Sequence, residues 1–228
     1  MIPIRDNVTS KELPLVTWTL VVLNVLIFFW DRGGLAAGGP VNFADLAVRP
    51  SEVFASMRGQ GDAGDLTTLF TYMFLHGNLA HLVGNMFFLL AFGVNVESVF
   101  GALKFALFYL FWGLVAAFAE IYVHPGSMTS ILGASGAIGG VLGAYLLLFP
   151  GNKITFIVFP LFWWPLKVTA WLLLGFWFMF QIFFPQEGVA NWAHAGGFAA
   201  GMATVLLLGG RVKLLRGVAL EVEADDED

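Results

Sequence analysis

Six long apolar blocks dominate this chain, and together they hold only three formal charges, Lys104, Glu120 and Lys167. They run Leu15–Trp30, His81–Val96, Leu103–Val123, Ser135–Phe149, Leu166–Phe184 and Trp192–Leu208. A bilayer core of about 30 Å takes roughly 20 mostly apolar residues per helix. Each block is therefore read as a transmembrane helix, several of them a little short. The stretch Ile154–Trp164 is also apolar, but Pro160 and Pro165 interrupt it. It is read as an interfacial or re-entrant connection into the fifth helix. The expected fold is an all-α membrane protein built as one six-transmembrane-helix bundle.

Composition supports this reading over a pair of soluble domains. The chain is 58% apolar and only 12% charged, whereas soluble domains are about half apolar and about a quarter charged. Its 24 Phe and 27 Gly suit helices that face lipid and pack closely. The expected division is a short N-terminal segment (1–14), the membrane domain (15–208) and an acidic tail (209–228). The tail carries Glu221, Glu223, Asp225, Asp226, Glu227 and Asp228 and is expected to be solvated and disordered. The first block is read as a retained helix rather than a cleaved signal, because it runs straight into Asp31 and Arg32.

Cationic residues set the expected orientation. With the N-terminus inside, Arg5, Lys11, Lys104, Lys153, Lys167, Arg211, Lys213 and Arg216 lie inside, and only Arg32, Arg49 and Arg58 lie outside. Both termini are then cytoplasmic. No organelle-targeting extension is evident, so the expected location is a prokaryotic plasma membrane. No basic patch interleaved with aromatics suggests nucleic acid. The absence of Cys removes disulfides, Cys-based zinc sites and a Cys nucleophile.

Polar side chains inside membrane helices are costly and are functional hypotheses by default. His81, Asn85, Ser135 and His194 stand out, with His76 just ahead of them. Under the expected topology they fall on three helices at one depth, in the outer half of the membrane. Ser135 lies in Gly133-Ala134-Ser135-Gly136 at a helix start. Glycines there permit a tight turn and close approach of a carbonyl, and a helix N-terminus favours developing negative charge. A serine needs a base to become a nucleophile, and His194 is the candidate because imidazole titrates near neutrality. His81 and Asn85, spaced i, i+4, share a helix face and can donate to an oxyanion, each worth roughly 3–4 kcal/mol in a transition state. No acidic residue neighbours His194 along its helix, so the pattern is a Ser–His dyad. Something else must orient the imidazole.

These residues resemble the rhomboid family of intramembrane serine proteases, from about Phe70 to Gly201. His76-Gly77-Asn78-Leu79-Ala80-His81-Leu82-Val83-Gly84-Asn85, Gly93-x-x-x-Glu97-x-x-x-Gly101, Gly133-Ala134-Ser135-Gly136, and Ala193-His194-Ala195-Gly196-Gly197 with Gly201 occur in the family's order. The resemblance implies a six-helix rhomboid-like core with a cavity open to the outer aqueous face. It implies Ser135 as nucleophile, His194 as base, and His81 and Asn85 at the oxyanion hole beside the Ser135 N–H. Gly133, Gly136 and His76 would support the site. Substrates would be other membrane proteins, cut in or near a transmembrane helix without a cofactor or metal. The fifth helix and the loop 185–191 would form the gate and cap. Two features depart from the family: no Trp-Arg pair occurs between Asp31 and Leu69, and Gly139 stands where some members carry an aromatic beneath the histidine. Gly139 also belongs to a Ser135-x-x-x-Gly139-x-x-x-Gly143 stripe suited to close packing.

Other readings stay open. The chain is alternatively a catalytically silent relative that binds membrane clients, a haem or metal protein using its histidines, or a transporter. No H-E-x-x-H and no internal repeat favour the last two. Glu97 is expected to bond loop backbone, Glu120 to reach toward water, His124 to be interfacial, and the Trp163, Trp164, Trp171, Trp177 cluster to form an aromatic belt.

Overall fold

The computed structural model describes residues 2–6, 8–10, 13–31, 44–158, 162–184, 186, 188–216, 218 and 220–222. The acidic tail beyond Val222, residues 32–43 of the first loop, and Pro160 lie outside the described residues. Helices α1 (Leu15–Asp31), α2 (Pro50–Met57), α3 (Thr68–Thr71) and α4 (Leu79–Phe88) come first. A π turn (Leu89–Gly93) joins α4 to α5 (Val94–Phe100). Then follow α6 (Ala102–Val123), α7 (Ser135–Leu148), α8 (Ala170–Phe183), α9 (Asn191–Leu207) and α10 (Gly210–Leu214).

Among the described residues, two helical runs are long and apolar enough to cross a membrane by themselves, Leu79–Phe100 (α4 through α5) and Ala102–Val123 (α6). Helices α1, α7 and α8 are apolar but shorter. The described residues are mostly helical, as expected, but not all-α. Strands β1 (Ile2–Asp6), β3 (Lys153–Val158) and β4 (Phe162–Thr169) form an antiparallel sheet, and β2 (Val8–Ser10) pairs with β5 (Leu220–Val222). The described residues of the stretch read as an interfacial or re-entrant connection thus lie in two antiparallel strands, and the fifth apolar block becomes helical only at Ala170. Strand pairing satisfies backbone groups of 153–158 and 162–169, where Pro165 disfavours a helix. Because β1 joins β3 and β2 joins β5, residues 2–6, 8–10 and 220–222 and the strands between α7 and α8 gather at one end of the bundle.

The bundle is centred on α7, which is buried along most of its length, from Gly136 to Tyr145 and at Leu148. A helix that is apolar all round belongs in an interior. It packs against α6 and α9 through small residues. A Cβ on Gly197 would strike the Gly136 carbonyl oxygen, one on Gly201 the Gly140 carbonyl oxygen, and one on Gly143 the Phe198 carbonyl oxygen. Glycine therefore lets α7 and α9 approach backbone to backbone. The Trp112 indole N–H donates to Thr204 Oγ1 at 2.9 Å and ties α6 to α9.

Glu97 lies at the strand end of the bundle, where α5 packs against β2. Its carboxylate accepts from Val16 N at 2.9 Å, and from Thr17 N and Thr17 Oγ1 at 2.7 Å each. It satisfies first-turn donors of α1 and places negative charge at a helix N-terminus. Four residues later Gly101 adopts φ 75°, which lets the chain reverse into α6.

The glycine contacts make a direct prediction. Gly201→Ala overpacks the α7–α9 seam at backbone atoms that have no side chain to rotate away, a cost of about 1–3 kcal/mol. Thermal denaturation in detergent should show a midpoint several degrees lower. Gly175→Ala on α8, where nothing lies within 4 Å of the added methyl, should leave the midpoint unchanged or raise it.

Candidate active site

The site is assembled where the loop after α6 turns into α7. Val48 and Ile131 exchange backbone hydrogen bonds of 3.0 and 2.7 Å, anchoring that loop to the first loop. Gly133 N donates to Tyr72 O at 2.9 Å, and Gly133 adopts φ 126°, a conformation other residues rarely take. A Cβ there would lie 2.7 Å from the His81 ring. Gly133 thus permits both the turn and the close approach of an imidazole.

Ser135 is the first residue of α7, so the unbonded N–H groups of that helix's first turn surround it. Its Oγ lies 2.8 Å from His194 Nε2. The α7–α9 seam brings the two helices together at this height. A Cβ on Gly139 would sit 2.8 Å from the His194 carbonyl oxygen, so no aromatic ring fits beneath the histidine from α7. The ring is flanked instead from α8. The Trp177 ring centroid is 5.9 Å from that of His194, at 33°, and Gln181 Oε1 lies 2.9 Å from His194 Nδ1. Trp177 therefore lies against the site rather than in an outer aromatic belt.

The side chain facing the second ring nitrogen of His194 is thus Gln181, which the sequence reading did not single out. A signal for it exists. Gln181 is the one amide in α8, and with Leu174, Trp177 and Phe178 it makes an i, i+3, i+4, i+7 stripe on the inward face.

Helix α9 has its own anchor. Glu120 of α6 accepts from Ala193 N at 3.1 Å and lies 2.7 Å from His124 Nδ1. The buried carboxylate caps the first turn of the helix that carries His194. Glu120 therefore does not reach for water, and His124, expected to be merely interfacial, is hydrogen-bonded to it.

On α4, Asn78 Oδ1 accepts from His81 N at 2.8 Å and caps the helix start. His81 and Asn85 follow on one face. Asn85 Nδ2 lies 2.9 Å from His76 Nε2. An amide nitrogen has only hydrogens to offer, so the buried His76 accepts. The second hydrogen of that amide remains for a ligand. The His76 and His81 rings meet edge to face at 5.1 Å.

Two cavities meet at Ser135. One, of about 400 Å³, opens beneath the loops and is bounded by Tyr72, His81, Gly133, Ser135, Gly136, Val189 and His194. The other, of about 310 Å³, lies between α4 and α8 and is bounded by Ala80, Asn85, Phe88, Ile138, Leu142 and Trp177. His81, Ser135, Val189 and His194 border both. The structure therefore gathers Ser135, His194, His81, Gly133 and Gly136 around one space, with Asn85 beside it and His76 behind Asn85. Among the described residues, no three His, Cys, Asp or Glu side chains gather as metal ligands.

The chain belongs to the rhomboid family, an integral membrane protein family: the model described as a Rhomboid domain matches residues 63–211. Among its relatives, the Rhomboid protease GluP of Bacillus subtilis (strain 168) is 30% identical over 196 residues, which cover 86% of this chain and 35% of that protein. RHOMBOID-like protein 6, mitochondrial, of Arabidopsis thaliana is 32% identical over 143 residues, 61% of this chain and 43% of the relative. Rhomboid protein 1, mitochondrial, of Saccharomyces cerevisiae is 35% identical over 91 residues, 38% of this chain and 26% of the relative. The chain spans less than half the length of each of them. The expected prokaryotic plasma membrane gains no support from relatives named mitochondrial in a plant and a yeast.

The carboxylate cap is open to test. Glu120→Leu leaves the buried Ala193 N–H without its acceptor, which costs about 1.5–3 kcal/mol for a bond to a charged group. The thermal midpoint should fall clearly. Glu120→Gln keeps an acceptor oxygen and should lose less.

Proposed function

We propose that this protein is an intramembrane serine endopeptidase that cleaves transmembrane segments of other membrane proteins through a Ser135–His194 dyad. The observation that carries this reading is the 2.8 Å contact between Ser135 Oγ and His194 Nε2 at the meeting point of two cavities. A packing serine has no need of an imidazole at that distance, nor of first-turn N–H groups around it.

The geometry supports the following reaction. A scissile carbonyl enters beside Ser135. His194 Nε2 takes the hydroxyl proton as Oγ attacks the carbonyl carbon. The oxyanion lies near the Ser135 N–H, the remaining Asn85 amide hydrogen and His81. The protonated imidazole gives its proton to the departing amine, and an acyl-enzyme remains. Water, deprotonated by His194, then attacks the ester carbon. The new carboxyl group departs, and Ser135 Oγ recovers the proton.

Helix lengths favour a site sunk within the membrane. With 14 residues, α7 extends only about 21 Å at 1.5 Å per residue, less than the roughly 30 Å hydrocarbon core. If its inner end lies level with its neighbours, its serine begins below the outer surface. In this reading α1, α4 with α5, α6, α7, α8 and α9 are six spans, and both termini are cytoplasmic. The gathering of residues 2–10 and 220–222 at one end of the bundle supports a shared side for the two termini, and the excess of Lys and Arg expected there supports the cytoplasmic side. Substrates are single-span or polytopic membrane proteins entering between α4 and α8.

The test is purified protein in detergent with a single-span substrate. Wild type should cleave it and be labelled by a fluorophosphonate. Ser135→Ala and His194→Ala should abolish cleavage, and Ser135→Ala should also abolish labelling. Asn85→Ala should retain some activity, with kcat down about 10²–10³-fold, as for loss of one oxyanion donor. A wild type that neither cleaves nor labels would favour a silent client-binding protein.

A further inference from the structure

We infer that Gln181 is a positioning residue for the general base: its side-chain carbonyl accepts from His194 Nδ1–H and holds the imidazole in the tautomer and orientation that present Nε2 to Ser135. The inference rests on the dyad reading above and assigns a third residue to it.

Three observations converge. First, both ring nitrogens of His194 are engaged on opposite sides, Nε2 with Ser135 Oγ at 2.8 Å and Nδ1 with Gln181 Oε1 at 2.9 Å. A neutral imidazole has one N–H and one lone pair. For Nε2 to receive the serine proton, Nδ1 must carry the hydrogen, and a carbonyl oxygen facing Nδ1 favours that arrangement. Second, Gln181 is only 9% exposed, in a helix whose sequence AWLLLGFWFMFQIF is otherwise free of amide and ionisable side chains. A buried amide in an apolar membrane helix carries a desolvation cost that a leucine would avoid. Third, Trp177 stands one turn before Gln181 and lies against the same ring. One face of α8 therefore supplies both a flat surface and a hydrogen-bond acceptor to the base. Gly139 excludes a ring from α7 at the corresponding place.

A neutral acceptor suits this setting. A carboxylate in that position would be buried beside the imidazole at a large desolvation cost. An amide oxygen fixes the tautomer and stabilises the imidazolium formed during the reaction without adding a charge to the resting bundle.

The experiment compares wild type, Gln181→Leu and Gln181→Glu in steady-state cleavage of a single-span substrate, together with nitrogen-15 NMR of histidine-labelled protein. Leucine keeps the volume and removes the acceptor. Expected is a loss of about tenfold or more in kcat with KM within about twofold, because the missing interaction acts in the chemical step. The His194 resonances should move from the Nδ1–H tautomer toward a mixture. Gln181→Glu, which retains an acceptor oxygen but is costly to bury, should keep the Nδ1–H tautomer and recover part of the lost kcat. An unchanged kcat and an unchanged tautomer in Gln181→Leu would overturn the inference and leave the dyad standing, as would a change confined to KM. A wild type that neither cleaves nor reacts with a fluorophosphonate would instead remove the dyad and this role together. The NMR signature also separates positioning from folding, since a misfolded variant loses the wild-type pattern at all four histidines rather than at His194.

Discussion

Backbone contact between α7 and α9 is the constraint on which the rest of this molecule depends. Gly139 and Gly143 on one helix, and Gly197 and Gly201 on the other, remove the side chains that would hold the two axes apart. The association gains no hydrophobic drive from a lipid surround, so close van der Waals packing has to supply it. The serine and the histidine are then carried on the facing sides of a seam that has little freedom to slide. A hydrogen bond of ordinary strength suffices to align them, because packing has already removed most of their positional freedom.

The helix ends around this seam are held by charge. Glu97 caps α1 and Glu120 caps α9, each reaching across from a different helix. In both cases a carboxylate is buried against the exposed N–H groups of a first turn, where the local dipole favours it. The two residues thereby fix the heights at which neighbouring helices start. For α9 that height is also the height of His194.

Much of the fold and site was legible because a membrane permits so few options. Apolar block length marked helices, and costly polar residues within them marked Ser135, His194, His81 and Asn85, which the structure gathers. What was not legible depended on direction rather than composition. The Ile154–Trp164 stretch has no partner visible in a linear reading, so its pairing with the N-terminal strand could not be seen. Glu120 sits near a helix end in sequence, and only the tertiary fold aims it at Ala193 N. Gln181 satisfied the same rule that marked Asn85 but was lost among the aromatics of α8. The face of a helix rich in Phe and Trp on every side is hard to assign, and the inward stripe of Leu174, Trp177, Phe178 and Gln181 emerges once burial is known.

The two cavities that share Ser135 also bear on the timing of events. One opens beneath the loops, and the other opens sideways between helices. On the proposed reading, a polypeptide and a solvent molecule reach the same oxygen by different routes. On the proposed chemistry, the second half of the reaction need not wait for the lateral passage to clear. A chain fragment still lodged between α4 and α8 would leave the upper entrance open, so hydrolysis and fragment departure become separable steps with separate rates.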